Sequence, residues 1–282
     1  KEIMSYTPSD VATLRKATGA GMMDCKNALV ETDGDMEAAK DWLRKKGISS
    51  AAKRAGRAAD QGTIDVLIDG NVVALAEVNC ETDFVAKGEI FTTFVREVTY
   101  LVAKQGVDQF EGLTFKDSTV ADEIVNLGAL VGENVSMGRI SRFETTTGVV
   151  DAYKHMQSGR GTIGVLVQLE GVEDNERSRE VAHDIALHAA SGAPRYISRD
   201  EVPTEAIERE REVFLELTKN EGKPEAAWDK IVEGRLTGYF KESCLLEQAF
   251  VKDNKMTIKQ LVESLGEKAT IANFTRIKIG EE

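Results

Sequence analysis

Proline, cysteine and histidine are all scarce in this chain of 282 residues, which has four, three and three of them. Each shortage excludes something. So few prolines, beside a hydrophobic content of 41% and a charged content of 30%, argue against long disordered linkers and for a folded globular protein. Cys25, Cys80 and Cys244 are odd in number, far apart and form no CxxC pair. That pattern supports neither a disulfide framework nor a zinc site, and it suits a reducing compartment. His183 and His188 are five positions apart, so they do not share a helix face as the i, i+4 pair of a metalloprotease does, and no metal site is visible. There is no apolar run approaching about 18 residues, and the opening KEIMSYTPSD has no apolar h-region. Neither a membrane span nor a secretion signal is expected. Met4 reads as a natural start, leaving residues 1–3 as an addition or the edge of a removed leader.

Positive charge is also in deficit. Thirty-six Lys and Arg against 48 Asp and Glu give a net charge of −12, which opposes non-specific association with phosphate backbones. Any nucleic-acid contact would have to be local, at the basic stretch RKKGISSAAKRAGR, residues 44–57. Catalytic motifs are missing too. GRGTIG at 159–164 matches GxGxxG, but it precedes a strand, whereas dinucleotide binding needs glycines that open a helix. No GxxxxGK[ST] or GxSxG occurs, and no hydroxyl or thiol has an identifiable base partner. The chain does not read as an enzyme.

What is present is regular. Thr7 as N-cap, Pro8 in the first turn and Gly19 as terminator predict a short helix. A second is expected over about 23–32, with Cys25, Ala28 and Leu29 inward. A third follows Gly34-Asp35, with Ala39, Trp42 and Leu43 inward and Gly47 ending it. Beyond the basic stretch the period becomes alternating. GTIDVLI, then DGN, then VVALAEVNC reads as a hairpin whose Asp-Gly suits a type I′ turn. Phe91, Phe94, Val95, Val98, Leu101 and Val102 mark an amphipathic helix beginning near Lys87, followed by a helical stretch over 121–130 and a strand at NVSMGRISRFE.

GTIGVLVQLEGV, residues 161–172, echoes GTIDVLI and leads to a helix over 181–190, which suggests an internal duplication, though two apolar strands can match by chance. The second unit carries an insertion. Ile207, Val213, Phe214 and Leu217, then Trp228, Ile231, Val232 and Leu236, fall at helical spacing on either side of TKNEGKP and predict an antiparallel helical hairpin. A helix over 258–265 and the alternating TIANFTRIKI close the second sheet. The fold class is therefore α+β, in four parts: residues 1–48 a helical bundle, 49–61 a basic linker, 62–147 and 148–282 two core subdomains with antiparallel sheets. The hairpin occupies about 203–243 of the second.

The stretch NCETDFVAKGEIF, residues 79–91, sets Asp83 directly against Phe84. The residues alone leave Phe84 two fates, packed under its own helix or exposed. Met22 and Met23 are adjacent, and since neighbouring helical residues point about 100° apart, at least one should be exposed.

TGAGMMDCKNALVETDGDMEAA (18–39) and NCETDFVAK (79–87), extended by VGENV (131–135), DAYKH (151–155), GVLV, GKP and VEGRL, closely resemble the translation elongation factor Ts family over nearly the whole chain. The resemblance implies a ubiquitin-associated-like N-terminal bundle, a duplicated α+β core, a protruding coiled-coil hairpin and no cofactor. It implies guanine-nucleotide exchange on elongation factor Tu, both GDP-bound and nucleotide-free, in the cytoplasm or an organelle interior. In that family the Asp and Phe of TDFVAK act on the partner's Mg²⁺ site, roles that would fall to Asp83 and Phe84. The remaining implied partner contacts are Thr82, Val85, Arg15, Met22, Met23, Lys26, Arg54, Val131 and His155. HMQSGRGTIG looks longer than the loop in some relatives, and since the sequence ends soon after IKIGEE, contacts through the additional C-terminal helical module of some members are not expected. No membrane or direct nucleic-acid contact is expected. Two rival readings remain: a helical-bundle adaptor for a peptide, ubiquitin-like module or ribosomal RNA, using Met22-Met23 and the basic stretch, and a thiol enzyme built on Cys80.

Overall fold

A computed structural model describes residues 6–281; the expectations about Met4 and residues 1–3 fall outside them. At the N-terminus three helices pack together. In α1 (Pro8–Thr18), the Thr7 side chain accepts from the Asp10 amide while Asp10 reaches back, and Gly19 closes the helix at φ 69°, a left-handed conformation that costs glycine little. Next come α2 (Met22–Glu31) and α3 (Met36–Arg54), the latter capped by Asp35, which accepts from the Glu37 and Ala38 amides. Leu14, Cys25, Ala28, Leu29 and Ala39 form the small core.

Gly47 does not end α3. The helix runs on to Arg54, so residues 49–54 of the expected linker are helical. The reason is tertiary. Gly47 is buried where α3 packs along a core helix, near Val125 and Ala129, and that packing outweighs glycine's poor helix propensity of about 1 kcal/mol.

The core opens with the hairpin β1 (Gln61–Asp69) and β2 (Val72–Cys80). Asp69 pairs with Val72, so the turn residues are Gly70 and Asn71. Only Gly70, at φ 62°, is left-handed, which fits the glycine-first type II′ turn and corrects the expected Asp-Gly type I′. Helices α4 (Asp83–Lys87) and α5 (Glu89–Gln105) follow. The chain is therefore already helical at Asp83 rather than from near Lys87. A small hairpin, β3 (Thr114–Phe115) and β4 (Ser118–Thr119), leads to α6 (Val120–Val131) and then β5 (Ser136–Glu144), which pairs antiparallel with β2. The sheet order is β1-β2-β5, with Phe91, Phe94, Val95, Val98 and Val102 of α5 buried against it.

The second half repeats this plan. The strands β6 (Val149–Gln157) and β7 (Arg160–Glu170) form a hairpin, α7 (Glu176–Gly192) follows, and α8 (Thr204–Asn220) packs on α9 (Trp228–Ser243). A short hairpin β8 (Ala249–Phe250) and β9 (Asp253–Thr257), then α10 (Ile258–Glu263), lead to β10 (Thr270–Lys278), which pairs with β7. The order is β10-β7-β6, so in each half the second strand is central and the last lies beside it. The sequence echo that suggested duplication does not follow this equivalence. GTIDVLI lies on edge strand β1, while GTIGVLV lies on central strand β7. The likeness there is that of two apolar strands; the topological repeat is β1-β2-β5 with β6-β7-β10.

The two sheets face each other across Ile64, Val73, Leu75, Val150, Leu166 and Ile277. They approach closely because Gly161 and Gly164 carry no Cβ: one added at Gly161 would lie 2.1 Å from the Ile64 carbonyl, and one at Gly164 2.5 Å from Leu75 Cδ1. In the α8–α9 pair, Val232 and Leu236 are buried, as expected, but Val213 and Leu217 are exposed. The buried side of α8 instead centres on Thr218, with Ile207 and Phe214 half-buried.

Candidate partner-binding surface

Strand β2 ends at Cys80 and turns at once into α4. Thr82 caps this helix by accepting from the Val85 amide at 3.4 Å. The Thr63 hydroxyl on β1 donates to the Ala86 carbonyl at 2.6 Å, fastening the helix to the sheet. Ala86 is buried and Val85 half-buried against the first-half core. With that side of the single turn turned inward, its neighbour Phe84 points away, and it is 82% exposed. So exposed a phenylalanine, on a helix pinned from beneath, has no packing role among the described residues.

Asp83 is also at the surface. Its carboxylate pairs with Lys87 one turn on, and the same ammonium lies 6.0 Å from the centre of the Phe84 ring. The hydrogen bond from Lys87 holds the Asp83 carboxyl below its ordinary range, so it is an anion at neutral pH. Beneath it, burial pushes the Cys80 thiol up to about 12, and the nearby Glu133 carboxylate adds to the shift. Cys80 is thus a neutral thiol, 3.3 Å from the Thr82 carbonyl to which it donates. A thiol so buried and so weakly acidic is a poor nucleophile, which removes the physical basis of the Cys80 enzyme reading.

Elsewhere, Met22 and Met23 are both exposed, at 59% and 63%, so the first turn of α2 presents two flexible thioethers rather than the single one expected at minimum. Arg15 and Lys26 are exposed on the same bundle. Arg54 is half-buried in the seam with α6: its Nη2 lies 3.7 Å from where a Cβ on Gly128 would sit, and Nε and Nη2 have no hydrogen-bond partner among the described residues. Val131 ends α6, half-buried against the first-half core. His155 is exposed near the end of β6, with Nδ1 3.2 Å from the Tyr153 hydroxyl.

The nominated residues thus lie in four places. Thr82, Asp83, Phe84 and Val85 form one compact corner, with Val131 leading into the turn that braces it; Arg15, Met22, Met23 and Lys26 belong to the bundle; Arg54 sits in the seam between α3 and α6; His155 belongs to the second half. Sequence reading missed Glu133 and Lys87, the two charged groups that hold this corner. A hint was available for Glu133: a carboxylate just after Gly132, whose φ of 78° ends α6, is poorly placed to serve its own helix.

Comparison with known proteins converges on one family. The model of the family described as elongation factor TS matches residues 81–281. The elongation factor Ts of Magnetococcus marinus is 42% identical over 287 residues, covering 99% of this chain and 94% of that protein. That of Paenarthrobacter aurescens is 44% identical over 281 residues, covering 98% and 99%. That of Paramagnetospirillum magneticum is 43% identical over 285 residues, covering 98% and 91%.

Proposed function

The chain belongs to the elongation factor Ts family of translation elongation factors, and from that premise we propose that it promotes release of GDP from elongation factor Tu. Asp83 and Phe84 are the groups that enter the partner's Mg²⁺ and phosphate site. The observation that carries this reading is the 82% exposure of Phe84 on a helix anchored from below. A rigidly held aromatic loses little entropy when it inserts, and such residues are common interface hot spots.

Magnitudes suggest how the work is divided. Accelerating GDP release 10⁴-fold requires roughly 5.5 kcal/mol of differential stabilisation. Burying most of a phenylalanine's ~150–250 Å² supplies about 3–5 kcal/mol before any cost of opening the partner. Phe84 therefore contributes a large part but not all. The Asp83 carboxylate competes for a cation that demands near-ideal octahedral oxygen geometry. An exposed ion pair such as that with Lys87 is weak enough to be exchanged for such a cation. Met22 and Met23 supply an adaptable apolar contact, and Arg15, Lys26, Val131 and His155 extend the footprint. The protein makes and breaks no bonds; it stabilises a state of the partner in which metal and diphosphate are loosened. Reciprocity follows: GDP and Mg²⁺ weaken the binding of this chain by the factor by which it weakens theirs.

The proposal includes the division into a bundle (1–48), a connecting segment (49–61) whose first six residues continue α3, and two core subdomains (62–147 and 148–282), and a cytoplasmic location shared with the partner. Among the described residues no helix is long and apolar enough to cross a membrane. The RNA-adaptor reading has less support, since Arg44, Lys46 and Arg57 of the basic stretch are paired with Asp122, Asp24 and Glu81. The test is release of a fluorescent GDP analogue from purified elongation factor Tu. A saturating concentration of this chain should accelerate release by orders of magnitude, and an unchanged rate would refute the proposal.

A further inference from the structure

One carboxylate does an unusual amount of bonding beside the exposed corner. Glu133, on the turn between α6 and β5, accepts from the Glu81 amide at 3.0 Å, from the Thr82 amide at 3.0 Å and from the Thr82 hydroxyl at 2.6 Å. These are the two residues that immediately precede Asp83. The next residue of the same turn continues the pattern. The Asn134 amide donates to the Glu81 carboxylate at 2.6 Å, and the Asn134 side chain donates to the Arg57 carbonyl at 2.8 Å. Arg57 Nη1 lies 3.3 Å from the same Glu81 carboxylate. Two acids and an asparagine thus join the corner before α4, the turn before β5 and the segment that leaves α3.

We propose that Glu133 is a positioning residue for nucleotide exchange: it fixes Glu81 and Thr82 so that α4 presents Phe84 and Asp83 in one orientation. The inference rests on the exchange function proposed above. The physical reason is economy of order. Charge-assisted hydrogen bonds to two successive amides hold the backbone before the helix, where a helix of five residues has too little structure of its own to set its direction. A loosened corner would still meet the partner, but the ring would enter its site less often in the productive pose, a cost that falls on the rate of release within the complex.

The test measures GDP release from elongation factor Tu at a series of concentrations of the full chain, separating the saturating rate from the half-saturating concentration. Glu133→Ala should lower the saturating rate at least tenfold and change the half-saturating concentration less than threefold. Glu133→Gln should recover most of the rate, because its carbonyl can accept from both amides while its NH₂ donates to the Thr82 hydroxyl. In a background that lacks both presented side chains, Asp83→Ala with Phe84→Ala, Glu133→Ala should cost less than twofold, since it acts through them. Equal multiplicative losses in both backgrounds would mean a merely structural role and overturn the inference, as would a wild-type rate in Glu133→Ala. Should the alanine variant fail to fold, Glu133→Asp, whose carboxylate is one methylene too short to reach both amides, enters the same cycle with the same criteria. If Phe84→Ala itself releases GDP normally, the exchange reading fails first; if it is impaired while Glu133→Ala is not, only the positioning role fails.

Discussion

In the first half of the core, central strand β2 passes through Glu81 and Thr82 into a helix of five residues whose Phe84 is 82% exposed. In the second half the matching strand β7 passes through Gly171 into the 17-residue α7, and the apolar residue at that corner, Val172, is buried. Each corner is braced by the segment that precedes the third strand of its sheet, but by different means. Gly171, at φ 71°, lies against the backbone of Lys268, where a Cβ would come within 2.0 Å of the carbonyl. The first corner is instead held at arm's length by the Glu133 side chain. One topology thus supports a closed corner and a presenting one, so the exposure of Phe84 is not a requirement of the fold. That exposure is what the exchange proposal accounts for, by giving the ring an occupant outside the chain.

The contrast can be broken most severely at Phe84. Phe84→Ala should lower the saturating rate of GDP release by about 30-fold to 10³-fold, the range of a hot spot worth about 2–4 kcal/mol. Its melting temperature should stay within about 1 °C of the parent, because an exposed ring contributes little to folding. Val172→Ala at the other corner should show the reverse, losing about 1–2 kcal/mol of stability by urea unfolding while exchange per folded molecule is unchanged.

A smaller effect separates the halves by pH. His188 of α7 is buried, with Nδ1 accepting from the Val251 amide at 3.2 Å and Nε2 2.8 Å from Gln248 Oε1. Burial pushes its pKa down from the ordinary 6.5. The unfolded chain therefore takes up this proton first as pH falls. The contribution of neutral His188 is complete above about 6.5 and is lost as pH drops through that value toward the lowered folded one. Unfolding free energy should fall between pH 7 and about pH 5, and His188→Gln should flatten that slope. Over the same interval Asp83, held below the ordinary carboxylate range by Lys87, stays ionised.

Much of this was legible in the sequence because the signals are local. Thr7, Asp35 and the glycine at 19 mark helix ends through side-chain and backbone geometry within one turn, and the spacing of Phe91, Phe94, Val95 and Val98 gives the buried face of α5. What was missed depends on contacts between distant segments. Gly47 reads as a terminator until α6 is packed against it. Val213 and Leu217 have helical spacing, but spacing alone does not say which side of α8 meets α9. The echo of GTIDVLI in GTIGVLV suggested a repeat, yet only strand order reveals which strands correspond. At the site, Asp83 and Phe84 stood out as an unusual pair, whereas Glu133 lies some fifty positions away from the amides it holds and left almost no local trace.

The central claim is that the Phe84 ring leaves water and enters the partner. It can be observed by placing 4-fluorophenylalanine at position 84 and recording the ¹⁹F resonance. On addition of nucleotide-free elongation factor Tu, the resonance should move away from its solvent-exposed position, and excess GDP with Mg²⁺ should return it as the complex dissociates. A resonance that keeps its free-protein position in the fully formed complex would contradict the account.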